Sequence, residues 1–141
     1  MEAISKTIIT VESTINAPLE KVWEYFTSPE HITKWNFASD DWHSPKAEND
    51  LRAGGNFVYR MEAKDGSMGF DFAGIYDAVT AHSLIDATLG DGRKLAIYFA
   101  ADGDKTIVTE SFEAEEMNSI ELQRTGWQMI LDNFKNYTET H

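Results

Sequence analysis

The chain has 141 residues, no cysteine, 42% apolar and 12% aromatic content, and 24 acidic against 12 basic side chains, a net charge of −12. That length fits one domain with a core of its own, the composition excludes disorder, and no disulfide framework can form. The negative charge repels phosphate backbones and anionic head groups, which excludes nucleic acid and membrane surfaces as partners and leaves an acidic docking face for a basic protein open.

The start, MEAISKTIITVEST, has no basic region followed by a long apolar run, so no signal peptide is expected. The longest purely apolar run is LAIYFAA, residues 95–101, far short of the about 20 needed to span a bilayer. The expected location is cytoplasmic.

Residues 6–15, KTIITVESTI, alternate, with Ile9, Val11, Ser13 and Ile15 on one side. Period two in a β-branched run predicts a strand. Asn16-Ala17-Pro18 offers a helix start, and Val22, Trp23, Tyr25 and Phe26 form the apolar side of a short helix. Ser28-Pro29 ends it and starts a second short helix, PEHITKW.

WNFASDDWHSPKAENDLRAGG, residues 35–55, is the least periodic stretch and is expected to lie outside helix and strand. It concentrates Trp35, Trp42 and His43 among small polar residues. Indoles are large, rigid and carry an N–H for a polar ligand group, so this stretch is read as the wall of a pocket mouth. An alternative makes both tryptophans ordinary core residues.

Beyond it alternation returns, with Phe57, Tyr59 and Met61 opposite Val58, Arg60 and Glu62. Lys64-Asp65-Gly66-Ser67 is a turn, and Met68 to Val79 is a long strand in which Gly74 marks a bulge or close packing. Ser83–Thr88 is a further strand, and Gly90-Asp91-Gly92 a turn. Leu95, Ile97 and Phe99 then alternate with Lys94, Ala96 and Tyr98, and after another turn Thr106–Phe112 is the last strand. The period then changes: Ile120, Trp127, Ile130, Leu131, Phe134 and Tyr137 recur at helical spacing after Asn118 or Ser119 as cap. One helix of about 18–20 residues is expected.

A strand, two short helices, a run of strands with short connections and one long amphipathic helix make an α+β architecture. A curved antiparallel sheet of six or seven strands wraps the C-terminal helix and leaves a cavity between them. Glu110 shares a strand face with Val108 and Phe112, so it points inward if they do. A buried carboxylate is costly unless paired, and its pKa rises if it is not. His43 is the better expected partner, because Arg60 alternates to the other face; a bulge turning Glu110 to solvent is the alternative. The face of Asp71 stays open, because Gly69 and Gly74 both permit a register change.

Signatures of catalysis are sparse. No serine stands in a G-x-S-x-G setting, and His31, His43, His82 and His141 have no metal-ligand spacing. No metal and no cofactor are expected. An acid–base pair of His43 with Glu110 is the one arrangement that suits a cyclisation.

APLEKVWEYFTSPEHITKW resembles the opening of the START-like, helix-grip superfamily, also called SRPBCC. WNFASDDWH, AENDLRAGGNF, YRMEAKDGSMGFDFAGIY and GWQMILDNFKNY are similar to the branch named after the activator of the heat-shock protein 90 ATPase, in a single-domain form. The resemblance covers nearly the whole chain and implies the helix-grip fold, over one domain 1–141, with an apolar interior cavity. The resemblance implies no single chemistry: related proteins are ligand carriers, cyclases or of unassigned function, and the namesakes are chaperone activators.

The expectation is therefore a small hydrophobic or aromatic ligand lined by Phe57, Tyr59, Met61, Leu95, Ile97, Phe99, Trp127, Ile130 and Phe134, with Glu110 inward and Trp35, Trp42 and His43 at the mouth. A chaperone-type protein partner and a cyclase- or hydrolase-like enzyme using the same cavity are the alternatives.

Overall fold

The computed structural model describes residues 7–141. The N-terminal lead read above, and Lys6 of the first expected strand, lie outside the described residues. Chain order is β1 (Ile8–Ile15), α1 (Leu19–Thr27), α2 (Pro29–Trp35), β2 (Trp42–Asn49), β3 (Asn56–Ala63), β4 (Gly69–Thr80), β5 (Leu84–Leu89), β6 (Lys94–Asp102), β7 (Lys105–Glu113) and α3 (Ile120–Thr140).

All seven strands form one antiparallel sheet in the order β1-β7-β6-β5-β4-β3-β2. Short turns make each strand from β3 to β7 pair with its predecessor, and β1 joins the row by pairing with β7, which leaves β1 and β2 at opposite edges. The inward faces of β1, β3, β5, β6 and β7 follow the alternation in the sequence, whereas β2 and β4 carry register shifts. Ile9, Val11 and Ile15 of β1, Ile85, Ala87 and Leu89 of β5, Leu95, Ile97 and Phe99 of β6, and Val108 and Phe112 of β7 are buried.

The stretch 35–55 is more ordered than its composition predicts. Trp35 ends α2, and Trp42–Asn49 forms the edge strand β2. Its period is hidden by a register shift between His43 and Lys46, with Pro45 inside the irregularity. Proline has no N–H for a ladder, so it is tolerated on an edge strand at a bulge and erases the alternation that would announce the strand. Beyond β2 the double glycine turns the chain into β3. Gly54 takes φ +85°, and a Cβ on Gly55 would collide with the Asp50 carbonyl.

Gly74 is a site of close packing. A Cβ there would lie 2.6 Å from the Thr88 carbonyl oxygen and 2.8 Å from the Phe57 ring. The irregularity of β4 falls elsewhere, between Tyr76 and Ala78.

Helix α3 spans 21 residues, and the Ser119 side chain accepts from the Leu122 N–H as its cap. Its backbone packs on β1, α1 and α2. Lys135 Nζ donates to the Thr14 carbonyl at 2.6 Å, and Glu139 accepts from the Asn16 N–H at 2.7 Å. Asn133 Nδ2 donates to the Trp35 carbonyl at 2.9 Å, tying the helix to the end of α2. The helix is thus seated over one end of the sheet while β3 to β6 curl past its other flank. Only side chains cross that gap, and they do not fill it.

Candidate functional site

Between α3 and the concave sheet lies a cavity of about 180 Å³. Its floor is Phe57, Tyr59 and Met61 of β3, Phe70, Phe72 and Tyr76 of β4, Ile85 and Ala87 of β5, Leu95 and Ile97 of β6, and Glu110 of β7. Trp127 and Ile130 of α3 form the roof, and Phe26, Thr27, Trp35 and Asn36 close the end formed by the short helices. Phe70, 49% exposed, stands where the lining reaches the surface.

The rings brace one another. Trp127 stacks on Phe112 with centroids 3.8 Å apart and meets Phe72 edge-on at 5.9 Å. Phe57 lies 5.3 Å from Tyr59 and 5.0 Å from Tyr76. Such tilted and edge-on contacts suit the ring quadrupole and hold a rigid wall.

Most polar groups on the lining are already engaged. Trp35 Nε1 donates to the Tyr25 carbonyl at 2.9 Å, so its N–H, expected to serve a ligand, is spent on the backbone. Thr27 Oγ1 donates to the Trp23 carbonyl at 2.7 Å, and Asn36 Nδ2 to the Met61 sulfur at 3.3 Å. The Tyr59 and Tyr76 hydroxyls lie 3.4 Å apart, and burial raises both phenol pKa values.

Glu110 differs. It is 8% exposed, it faces the cavity, and burial alone pushes its carboxyl up to about 8. Desolvation disfavours the charged form, and no cation or donor among the described residues offsets it. The inward reading of Glu110 holds because β7 keeps strict alternation through Thr106, Val108, Glu110 and Phe112.

Of the expected residues, Trp35, Phe57, Tyr59, Met61, Leu95, Ile97, Glu110, Trp127 and Ile130 are brought together on the lining. Four are placed elsewhere. Phe99 and Phe134 face inward but are consumed by packing, Phe99 against Trp23 at 5.0 Å and Phe134 against Trp35 at 4.8 Å. Trp42 lies one ring outside the lining, 6.1 Å from Phe70.

His43 is not near Glu110. Its Nε2 lies 3.6 Å from Glu62 Oε1, beside the Arg60–Glu62 pair at 2.8 Å. Arg60 also reaches Asp71 at 3.4 Å, which places Asp71 on that same outer face. The expected His43–Glu110 acid–base pair is therefore absent, because the β2 irregularity leaves His43 beside the outward residues of β3. Among the described residues no cluster of histidine, aspartate and glutamate could hold a metal ion.

Sequence reasoning missed Phe70, Phe72 and Tyr76, although they alternate on one strand; the two glycines had left the face of β4 open. It also missed Ile85 and Ala87, which alternate with Leu84 and Asp86. Phe26 belongs to the apolar side of α1, and nothing in its spacing marks it as lining.

A long helix held against a seven-stranded antiparallel sheet, with two short helices closing one end of an internal cavity, defines a START-like helix-grip domain. Members of this fold commonly take ligands in that cavity.

The chain belongs to the family described as Activator of Hsp90 ATPase homolog 1-like protein, whose model matches residues 16–139. It is similar to the solution structure of an AHSA1-like protein from Aeromonas hydrophila, at 42% identity and TM-score 0.89, over 95% of this chain and 93% of that one. The Chr148 protein of Cytophaga hutchinsonii is 57% identical with TM-score 0.81, over 94% and 92% of the two chains. Protein CV1439 of Chromobacterium violaceum, 21% identical with TM-score 0.84 over 94% and 98%, shares the fold. No curated protein matches the chain. No helix among the described residues is long and apolar enough to cross a membrane.

Proposed function

We propose that this protein binds a small, mostly hydrophobic or aromatic molecule in the cavity between α3 and the sheet. The observation that carries the reading is the void itself: about 180 Å³ walled by braced rings rather than closed by them. Protein interiors are close-packed, and an apolar void of this size forfeits dispersion contacts that larger side chains would supply. Few, mostly apolar walls with one or two oriented polar groups are the usual makeup of a ligand site. The lack of cysteine in the sequence fits a cytoplasmic setting.

Trp35 and Trp127 both stand on the lining, so a guest alters their emission. Titration with single-ring aromatic compounds should quench or shift tryptophan fluorescence saturably. Ala87→Leu, which adds a branched chain to the floor, should weaken every such ligand at least about tenfold while the domain stays folded. Unchanged affinity in that variant, or no saturable response in the parent, refutes the reading. The chaperone-partner alternative has only the family description in its favour, and an ATPase rate measured with added protein tests it.

A further inference from the structure

Within the reading that the cavity binds a small apolar molecule, we propose that its ligand is an amine: an aromatic or aliphatic body of about one ring, with its ammonium group set against the Glu110 carboxylate. The geometry of the lining carries this. Glu110 is the sole carboxyl on it, is buried to 8% exposure, and meets no hydrogen-bond donor or cation among the described residues. Its cross-strand neighbours are Val11 of β1 and Ile97 of β6, and α3 presents Trp127 and Ile130. The short helices present Phe26, Thr27, Trp35 and Asn36, none of them titratable. Among the described residues the only other titratable groups on the lining are the Tyr59 and Tyr76 hydroxyls, which face each other.

Among the described residues no lysine, arginine or histidine lines the cavity. A fatty acid or aryl carboxylate would bring a second acid beside Glu110 with no cation to receive it, which is doubly unfavourable. A neutral hydrocarbon would fill the space but leave the carboxyl unpartnered. An ammonium group supplies the missing donors and the opposite charge, and such charge-assisted bonds are the strong ones. The surrounding rings add faces for a cation, and the net charge of −12 favours cations in general. Size sets the body: an apolar cavity of about 150 Å³ holds benzene, so about 180 Å³ admits one ring with a short chain.

Binding also moves a proton. The unliganded carboxyl holds its proton up to about pH 8. When the ammonium docks, the carboxyl ionises and its proton goes to solvent, while the amine keeps its own. Amine affinity therefore rises about tenfold per pH unit on approach to pH 8 and levels off above it.

The test compares phenethylamine, phenethyl alcohol and phenylacetate by calorimetry and tryptophan fluorescence, from about pH 6 to about pH 9, on the parent and on Glu110→Gln. The amine should bind the parent at least about tenfold tighter than the alcohol at pH 8, with that preference shrinking toward pH 6, and phenylacetate weakest. Glu110→Gln should lose the amine preference and its pH slope while still taking the alcohol. Equal or tighter binding of the alcohol at pH 8, tightest binding of phenylacetate, or an amine preference that survives in Glu110→Gln overturns the amine assignment alone. Failure of all three compounds to bind overturns the cavity-binding reading as well.

Discussion

Replacing Glu110 by glutamine changes how stability depends on pH, and the size of the change follows from its burial. Burial lifts the carboxyl from an ordinary 4.5 to about 8. The folded state therefore holds a proton that the unfolded chain gives up. Below pH 4.5 both states are protonated and the group is neutral to stability. Between 4.5 and 8 the unfolded state binds fewer protons, so stability falls as pH rises, by about 1.4 kcal/mol per unit. Above 8 the loss is complete, at about 5 kcal/mol, an upper bound because water entering the cavity would relieve part of it. Glutamine keeps the shape and cannot ionise. Urea unfolding followed by circular dichroism at about pH 4, 6, 8 and 9 on both proteins isolates the effect, because the other carboxylates contribute to both and cancel in the difference. The variant should gain steadily on the parent between pH 4.5 and 8 and hold that gain beyond. A difference that does not change with pH would refute the claim that Glu110 is buried without a partner.

Two further substitutions test the frame around the cavity. Thr106 is fully buried and its hydroxyl donates to the Ala17 carbonyl at 2.9 Å; Thr106→Val should cost about 1–3 kcal/mol in urea unfolding by orphaning that carbonyl, and a neutral result would show that the bond is dispensable. Gly74→Ala should cost about 1–3 kcal/mol, because the new methyl meets the Thr88 carbonyl and the Phe57 ring at 2.6 and 2.8 Å. Thermal melting checks it, and an unchanged midpoint would mean that β4 and β5 separate there at no cost.

Where one face of an element is buried and the backbone is regular, the sequence announced it. Ile9 to Ile15, Phe57 to Met61, Leu95 to Phe99 and Thr106 to Phe112 each declare a strand and its inward side, because a one-residue slip would expose the whole set. The helix at the C-terminus was equally plain from its apolar stripe after Asn118-Ser119, though only the structure shows that Ser119 of the two is the cap. Edge strand β2 was hidden because an edge with Pro45 and a register shift needs no alternation to be stable. The same irregularity misdirected His43, whose side of the sheet depends on how many residues the bulge absorbs. Which inward rings line a void and which are spent on packing was also out of reach. Phe99 and Ile97 sit on the same face of the same strand, yet only Ile97 borders the cavity. That distinction depends on where α1 and α3 rest, a tertiary fact with no counterpart in the local pattern.

A domain selected for stability alone would have no reason to keep this interior. Leucine or glutamine at position 110 would remove the charge problem, and a larger side chain at Ala87 would close part of the void. Natural sequences depart from local consistency mainly where function asks for it. Here the departures coincide: the one unpaired buried carboxyl among the described residues borders the cavity that the rings leave unfilled. Either feature alone has a structural explanation, a chance charge that is protonated at neutral pH or a modest packing flaw. Together they make an apolar space with one oriented polar group, the arrangement the proposed binding function requires, since a guest that fills the first would also satisfy the second. The cost to stability above pH 4.5 and the proposed affinity for an amine are then two measurements of the same missing partner.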